Sequence, residues 1–166
     1  GGVEEVNRII SLLGFEHTRL LNRIDFEKSL CVGVTTPREY AKMFSMIYDE
    51  QVWKDDLSRE MYSILRRQQN NMIFCKHLPD EDVLNKGTED SPIISIASKS
   101  GSLSLSMLDK ENVCNDGGIV NTTKGAYIAT FFAAGFEDPN IEEDNEVVEF
   151  MSHIHEKIYM IVNYNK

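Results

Sequence analysis

The chain has 166 residues and a net charge of −10, with 42% hydrophobic residues. That length and composition suit a domain with a real core, and no stretch reaches the about 20 apolar residues of a membrane span. The acidic balance argues against general nucleic-acid binding, which needs clustered Lys and Arg against the phosphates.

The first predicted element is a helix from Val3 to Leu13, with Val6, Ile9, Ile10 and Leu13 as its apolar stripe and Gly14 after its end. Residues 15–34 lack a clean period and read as a long loop. Thr36-Pro37-Arg38-Glu39 then has the pattern of a capping box with proline at the first helical position. Tyr40, Met43, Phe44, Ile47 and Tyr48 form the predicted buried face. A third helix is expected from Ser58 to Arg67, with Met61, Tyr62 and Leu65 inward. Residues 70–90 read as polar and turn-rich around Pro79 and Gly87.

The pattern then changes to short apolar runs. Pro92–Ala97 and Tyr127–Phe132 read as strands, with Ile119-Val120 a shorter third candidate. Asn115-Asp116-Gly117-Gly118 and Thr123-Lys124-Gly125 have turn composition and are expected to join them. A closing helix is predicted from Glu146 to Val162, with Val147, Phe150, Met151, Ile154, Ile158 and Ile161 on one stripe. Helices, then strands, then a final helix argue for an α+β fold.

Metal and cofactor signals are weak. Cys31, Cys75 and Cys114 are far apart and include no C-x-x-C pair, against a zinc site or a disulfide framework. Asp80-Glu81-Asp82 and Glu142-Glu143-Asp144 read as solvated loops and a helix N-terminus favoured by its dipole, and not as a metal site. His153 and His155 lie two apart, so a helix points them to different sides; both read as partly exposed residues and not as ligands. No cofactor and no metal are expected. No basic segment followed by an apolar run opens the chain, so no secretory signal is visible.

The chemistry-bearing motif is Lys99-Ser100-Gly101, directly after the first strand, followed by Ser102. Lysine supplies a fixed positive charge and serine a hydroxyl, and both suit a substrate carboxylate. Glycine leaves the strand edge open to a ligand. The Ser102 N–H can face a developing oxyanion. The expectation is that this strand terminus borders a pocket.

Several segments around it resemble, in order, those of class A β-lactamases within the penicillin-recognising serine hydrolases. Thr35-Thr36-Pro37-Arg38-Glu39-Tyr40-Ala41 resembles their T-T-P-R-(E/D)-(M/L)-A helix start. Met61-Tyr62-Ser63-Ile64-Leu65-Arg66-Arg67-Gln68 resembles their M-L-x-I-L-x-x-Q segment. Leu78-Pro79, Lys99-Ser100-Gly101-Ser102, Asn115-Asp116-Gly117-Gly118-Ile119-Val120 and Tyr127-Ile128-Ala129 follow in family order. Gly1-Gly2-Val3 and Thr18-Arg19-Leu20 resemble the segments before the active-site Ω-loop.

The resemblance implies a β-lactamase/transpeptidase-like fold. Residues 1–90 would be the remainder of a helical lobe with an Ω-type loop, and residues 91–166 the C-terminal strands and helix of the α/β lobe. It implies an acyl-serine mechanism built from S-x-x-K, S-D-N and K-(T/S)-G motifs. Lys99 and Ser100 would hold the substrate carboxylate, Gly101 would keep the edge open, and the Ser102 N–H would supply half of the oxyanion hole. The implied ligand is a β-lactam or a peptidoglycan-like molecule, and the implied location is secreted or in the cell envelope.

The chain departs from the family in three places. None of its serines has a lysine three residues later, so no nucleophile is assignable. The expectation is that the N-terminal part is missing, that these residues alone are inactive, and that an upstream segment or complementary chain supplies the serine. The Ω-type stretch lacks a glutamate followed four residues later by asparagine, which leaves Asp25 and Glu27 as candidates for the deacylating base. Gly117-Gly118-Ile119 also offers no arginine for the substrate carboxylate. The alternatives are a penicillin-binding D,D-peptidase or esterase, and a catalytically silent module that binds a ligand or partner.

Overall fold

An antiparallel sheet of four strands carries helices on both faces in the computed structural model, which describes residues 2–23, 32–51, 55–69, 72–103, 111–142 and 144–164. In chain order the elements are α1 (Val3–Leu12), β1 (Arg19–Leu20), β2 (Gly33–Val34), α2 (Pro37–Tyr48), α3 (Asp55–Arg66), α4 (Met72–Cys75), α5 (Asp80–Leu84), β3 (Ile93–Ser98), β4 (Gly101–Leu103), β5 (Asn112–Thr122), β6 (Gly125–Phe136) and α6 (Glu146–Tyr164). This is the α+β arrangement expected from the order of the periodic segments.

β5 is the centre of the sheet. One edge pairs with β6 from Asn112↔Phe136 to Thr122↔Gly125. The other edge pairs with β3 and β4, which are two halves of a single line. Ser98 faces Gly118 and Gly101 faces Asn115, so the register is unchanged across Lys99 and Ser100. Among the described residues, the outer edges of this line and of β6 have no strand partner.

The alternation of side chains along β5 serves two cores. Cys114 and Val120 point to one face, with Ile93, Ile96 and Phe131, against Phe74 of α4 and Val148, Met151 and Tyr159 of α6. Ile119 points to the other face, with Ala97, against Phe44 of α2 and the flanking Tyr40, Tyr62 and Leu65. Each of the larger apolar side chains contributes about 1.5–3 kcal/mol by leaving water. Burial on both faces also explains why this strand tolerates small residues. A Cβ at Gly117 would lie 2.6 Å from Tyr40 Cε1 and 2.7 Å from Phe44 Cε2. Asn115-Asp116-Gly117-Gly118 is therefore mid-strand and not the expected turn. The Thr123-Lys124 turn is where the sequence puts it: Thr122 Oγ1 accepts from Lys124 N (3.2 Å) and donates to Gly125 O (2.8 Å), and Gly125 has φ +132°.

Four further expectations change. Residues 70–90 contain α4 and α5, and Phe74 is fully buried. Asp82 is not solvated; it accepts hydrogen bonds from the Tyr159 and Tyr164 hydroxyls, both at 2.7 Å. The face that α6 buries consists of Val148, Met151, Ser152, His155 and Tyr159, while Phe150 and Ile161 are exposed. Two polar atoms of that face have partners, while His155 Nδ1 has none among the described residues. Ser152 Oγ donates to Glu149 O at 2.9 Å, and His155 Nε2 shares a 2.9 Å bond with the Tyr127 hydroxyl. His155 is thus fully buried, where partial exposure was expected, and its burial pushes the imidazole pKa down to about 4.

Candidate functional site

Lys99 and Ser100 occupy the gap between β3 and β4. Lys99 N donates to Gly117 O at 2.9 Å. Alternation along an antiparallel ladder then turns the backbone of Gly101 and Leu103 toward β5, and the N–H of Ser100 and Ser102 outward to the open edge. Two side-chain bonds interrupt the ladder here. The Tyr40 hydroxyl donates to Lys99 O at 2.6 Å, and Gly117 donates its N–H to Asp116 Oδ1 at 2.8 Å. A Cβ at Gly101 would meet nothing within 4 Å, so glycine leaves open space beside the strand. The Lys99 side chain is exposed, and its ammonium donates to the Ser100 carbonyl.

Behind this edge lies a buried carboxylate that the sequence reading passed over as part of a turn. The register sets Asp116 opposite Ser100, and Asp116 is 1% exposed. Desolvation raises its pKa to about 7, against the lowering effects of the Gly117 N–H and the Lys99 charge. The same burial, with the Asp116 charge nearby, pushes the Tyr40 hydroxyl up to about 12, so Tyr40 stays a neutral donor to Lys99.

The loop expected to carry the deacylating base is anchored by Glu39. Thr36 caps α2 as predicted, its Oγ1 accepting from Glu39 N at 3.2 Å. The Glu39 carboxylate has a different use from the reciprocal half of a capping box. It accepts from Glu16 N (2.7 Å), His17 N (3.0 Å) and Thr18 Oγ1 (2.5 Å). Desolvation would raise its pKa, but the Thr18 hydroxyl and the two amides outweigh this and bring it to about 2. The loop base is closed by the β1–β2 pair and by Asn7, which donates to Leu20 O and accepts from Leu20 N, both at 2.8 Å. Gly33 is required there, since a Cβ would sit 2.7 Å from Arg19 O. Asp25 and Glu27 lie outside the described residues.

Two apolar cavities are lined by other elements. One of about 450 Å³ lies among Ile10, Phe15, Leu20, Thr35 and Met43. The other, about 670 Å³, is a groove between β6 and α6 with Phe132, Val147, Phe150 and Ile154 in its walls. Neither has residues 99–102 in its lining.

The chain matches the profile of the Beta-lactamase enzyme family over residues 1–162. No curated protein sequence matches it. Among solved structures it is similar to a β-lactamase from Sphaerobacter thermophilus DSM 20745, at 21% identity and a TM-score of 0.70, covering 97% of this chain and 52% of that one. It is similar to PBP-A, solved in mutant form as an acyl-enzyme complex with penicillin G, at 19% identity and TM-score 0.71, covering 96% and 51%. It is also similar to a class A β-lactamase representative from Bacteroides cellulosilyticus DSM 14838, at 18% identity and TM-score 0.69, covering 96% and 55%. The chain spans about half the length of these proteins, and the likeness carries the fold.

Proposed function

This chain belongs to the β-lactamase enzyme family, and from that premise we propose that it is the substrate-binding part of a class A-like serine hydrolase that opens β-lactams. The observation that carries this reading is the open edge at Lys99-Ser100-Gly101-Ser102, with the Ser102 N–H directed away from β5. Lys99 and Ser100 bind the substrate carboxylate. The Ser102 N–H takes half of the charge that develops on the lactam oxygen. A serine from outside these residues attacks the carbonyl carbon, the C–N bond breaks, and the ring nitrogen takes a proton. Water then cleaves the ester, with Asp25 or Glu27 as its base.

The upstream or complementary segment that supplies the serine also covers this half. It completes the helical lobe begun by residues 1–90, pairs with the outer edge of β6 in the lobe of residues 91–166, and fills the groove between β6 and α6. The exposed Phe150 and Ile161 of α6 suit such a cover. By the same resemblance the complete protein works in the envelope or outside the cell. No described helix is long and apolar enough to cross a membrane.

The second reading, a penicillin-binding relative, is favoured by one observation. The stretch from Thr18 to Ser29 lacks the glutamate and asparagine pair that holds the deacylating water in efficient enzymes. Mixing the complete gene product with a chromogenic β-lactam, while following colour and intact mass, separates the readings. Rapid colour supports the hydrolase, and a persistent adduct supports the penicillin-binding relative. No adduct would leave only a binding module. Lys99→Ala lowers kcat/KM by about ten- to a hundredfold, the equivalent of one charge-assisted bond.

A further inference from the structure

A second cluster of chemistry-bearing side chains lies on the α4–α6 face of the sheet, and it does not depend on the reading above. His77 follows α4, while Glu149 and His153 stand one turn apart on α6. His77 Nε2 is 2.9 Å from Glu149 Oε1, and His153 Nε2 is 3.1 Å from the same oxygen. The two imidazole rings stack with centroids 3.9 Å apart and planes within 1°. Two heterocycles from separate elements thus present the same nitrogen to one carboxylate oxygen.

We propose that His77, Glu149 and His153 form a binding site for a first-row transition-metal dication of the zinc type. The ligands are the two Nε2 atoms and Glu149 Oε1, with water completing the coordination. The three donor atoms lie within 4.8 Å of one another. Tetrahedral bonds of about 2.0–2.1 Å put neighbouring donors roughly 3.3 Å apart, so the imidazole-to-carboxylate edges of 2.9 and 3.1 Å need to open only slightly. The remaining adjustment is a tilt of the rings out of parallel, so that both lone pairs meet one ion. His153 is half exposed and has room to turn.

The surrounding groups prepare each donor. His153 Nδ1 is 3.2 Å from Glu156 Oε2, a partner that favours a proton on Nδ1 and so the Nε2 lone pair for an ion. Lys76 Nζ takes Glu149 Oε2 at 2.6 Å, so Oε1 is the oxygen presented to the rings. His77 Nε2 is shielded from solvent and faces Glu149 Oε1 at 2.9 Å. A buried imidazole nitrogen directed at a carboxylate oxygen is suited to sharing an ion with it. Two imidazoles and one carboxylate select zinc, cobalt, nickel or copper over calcium and magnesium, which require mainly oxygen donors. A bound ion ties the segment after α4 to α6 and stabilises the fold by mass action.

The test is titration of the chelator-stripped full chain with ZnCl₂ and, separately, CoCl₂. The expected results are 1:1 binding, a higher melting temperature with zinc, and visible cobalt bands of a four- or five-coordinate site. His77→Ala and His153→Ala each abolish all three effects, and His17→Ala, at an exposed histidine near α2, keeps them. Glu156→Ala, which removes only the partner of Nδ1, weakens affinity about ten- to a hundredfold. Circular dichroism of the exposed-site variant His153→Ala confirms that it is folded. Absence of zinc binding by the unsubstituted chain overturns the site, as does binding that His153→Ala leaves unchanged.

Discussion

The Tyr40 hydroxyl reaches the carbonyl of Lys99 across 59 residues of sequence, at 2.6 Å. It joins the first turn of α2 to the interruption between β3 and β4. The ring is held by edge contacts to Phe44 at 4.9 Å and Phe132 at 5.6 Å, so Tyr40→Phe removes the bond and keeps the packing. The expected loss is about 0.5–1.5 kcal/mol of stability, with faster amide exchange at Lys99 and Gly101, whose N–H groups face β5, than in the unsubstituted chain. Unchanged exchange there would show that the hydroxyl does not hold the strand.

Gly117→Ala tests the close approach of α2 to the sheet. The new methyl would meet two aromatic rings at less than 3 Å. Either the rings or the helix must shift, at a cost of about 1–3 kcal/mol. Chemical denaturation should show the loss, and Gly101→Ala, placed in open space, should be close to neutral for stability.

Asp116→Asn separates the buried charge from the fold. Asp116 titrates near 7 when folded, against 3.8 for the ordinary group. The folded state therefore binds more protons between these values, and the aspartate's contribution falls as pH rises through that window. Asparagine abolishes this dependence. The stability difference between variant and parent should grow from about pH 4 to pH 7 and then level off, bounded at roughly 4 kcal/mol. Using the difference cancels His155, which has the opposite sign. Its folded value of about 4 lies below 6.5, so its contribution is lost as pH falls through that interval. A difference that is flat with pH would mean that Asp116 is not buried as a charge.

Glu39→Gln tests the anchor of the loop base. The folded pKa of about 2 lies below the ordinary 4.5, so the contribution is complete above 4.5 and disappears as pH falls toward 2. The parent should melt higher than the variant at neutral pH, and the two should converge in acid. Protease cleavage between residues 19 and 34 should also speed up in the variant at neutral pH, because the Glu16 and His17 amides lose a charged acceptor.

Local signals were legible where local chemistry decides the structure. Thr36 and Pro37 start α2 because a hydroxyl acceptor and a preset φ suffice. The Thr123-Lys124 turn likewise needs no distant partner, and the isoleucine run of β3 shows in composition alone. β5 was mostly missed, since Asn-Asp-Gly-Gly has turn composition and only the rings of Tyr40 and Phe44 make glycine necessary at 117. The buried face of α6 was misplaced because two of its positions are Ser152 and His155, whose burial depends on Glu149 O and Tyr127. The same limit hid the His77, Glu149 and His153 cluster, because the visible histidine pair was His153 and His155. For the candidate site, the K-S-G edge was legible from sequence, but the carboxylate of Asp116 behind it was not.

The β5–β6 hairpin also bears on the route by which the chain folds. Its two strands are neighbours in sequence, joined by a two-residue turn and in one register from Val113 to Thr122, so its entropy of closure is small and it can form within microseconds. The pairing of β3 with β5 encloses a longer stretch of chain and must follow. Truncating Ile128 should therefore slow folding, whereas truncating Ile96 should mainly speed unfolding.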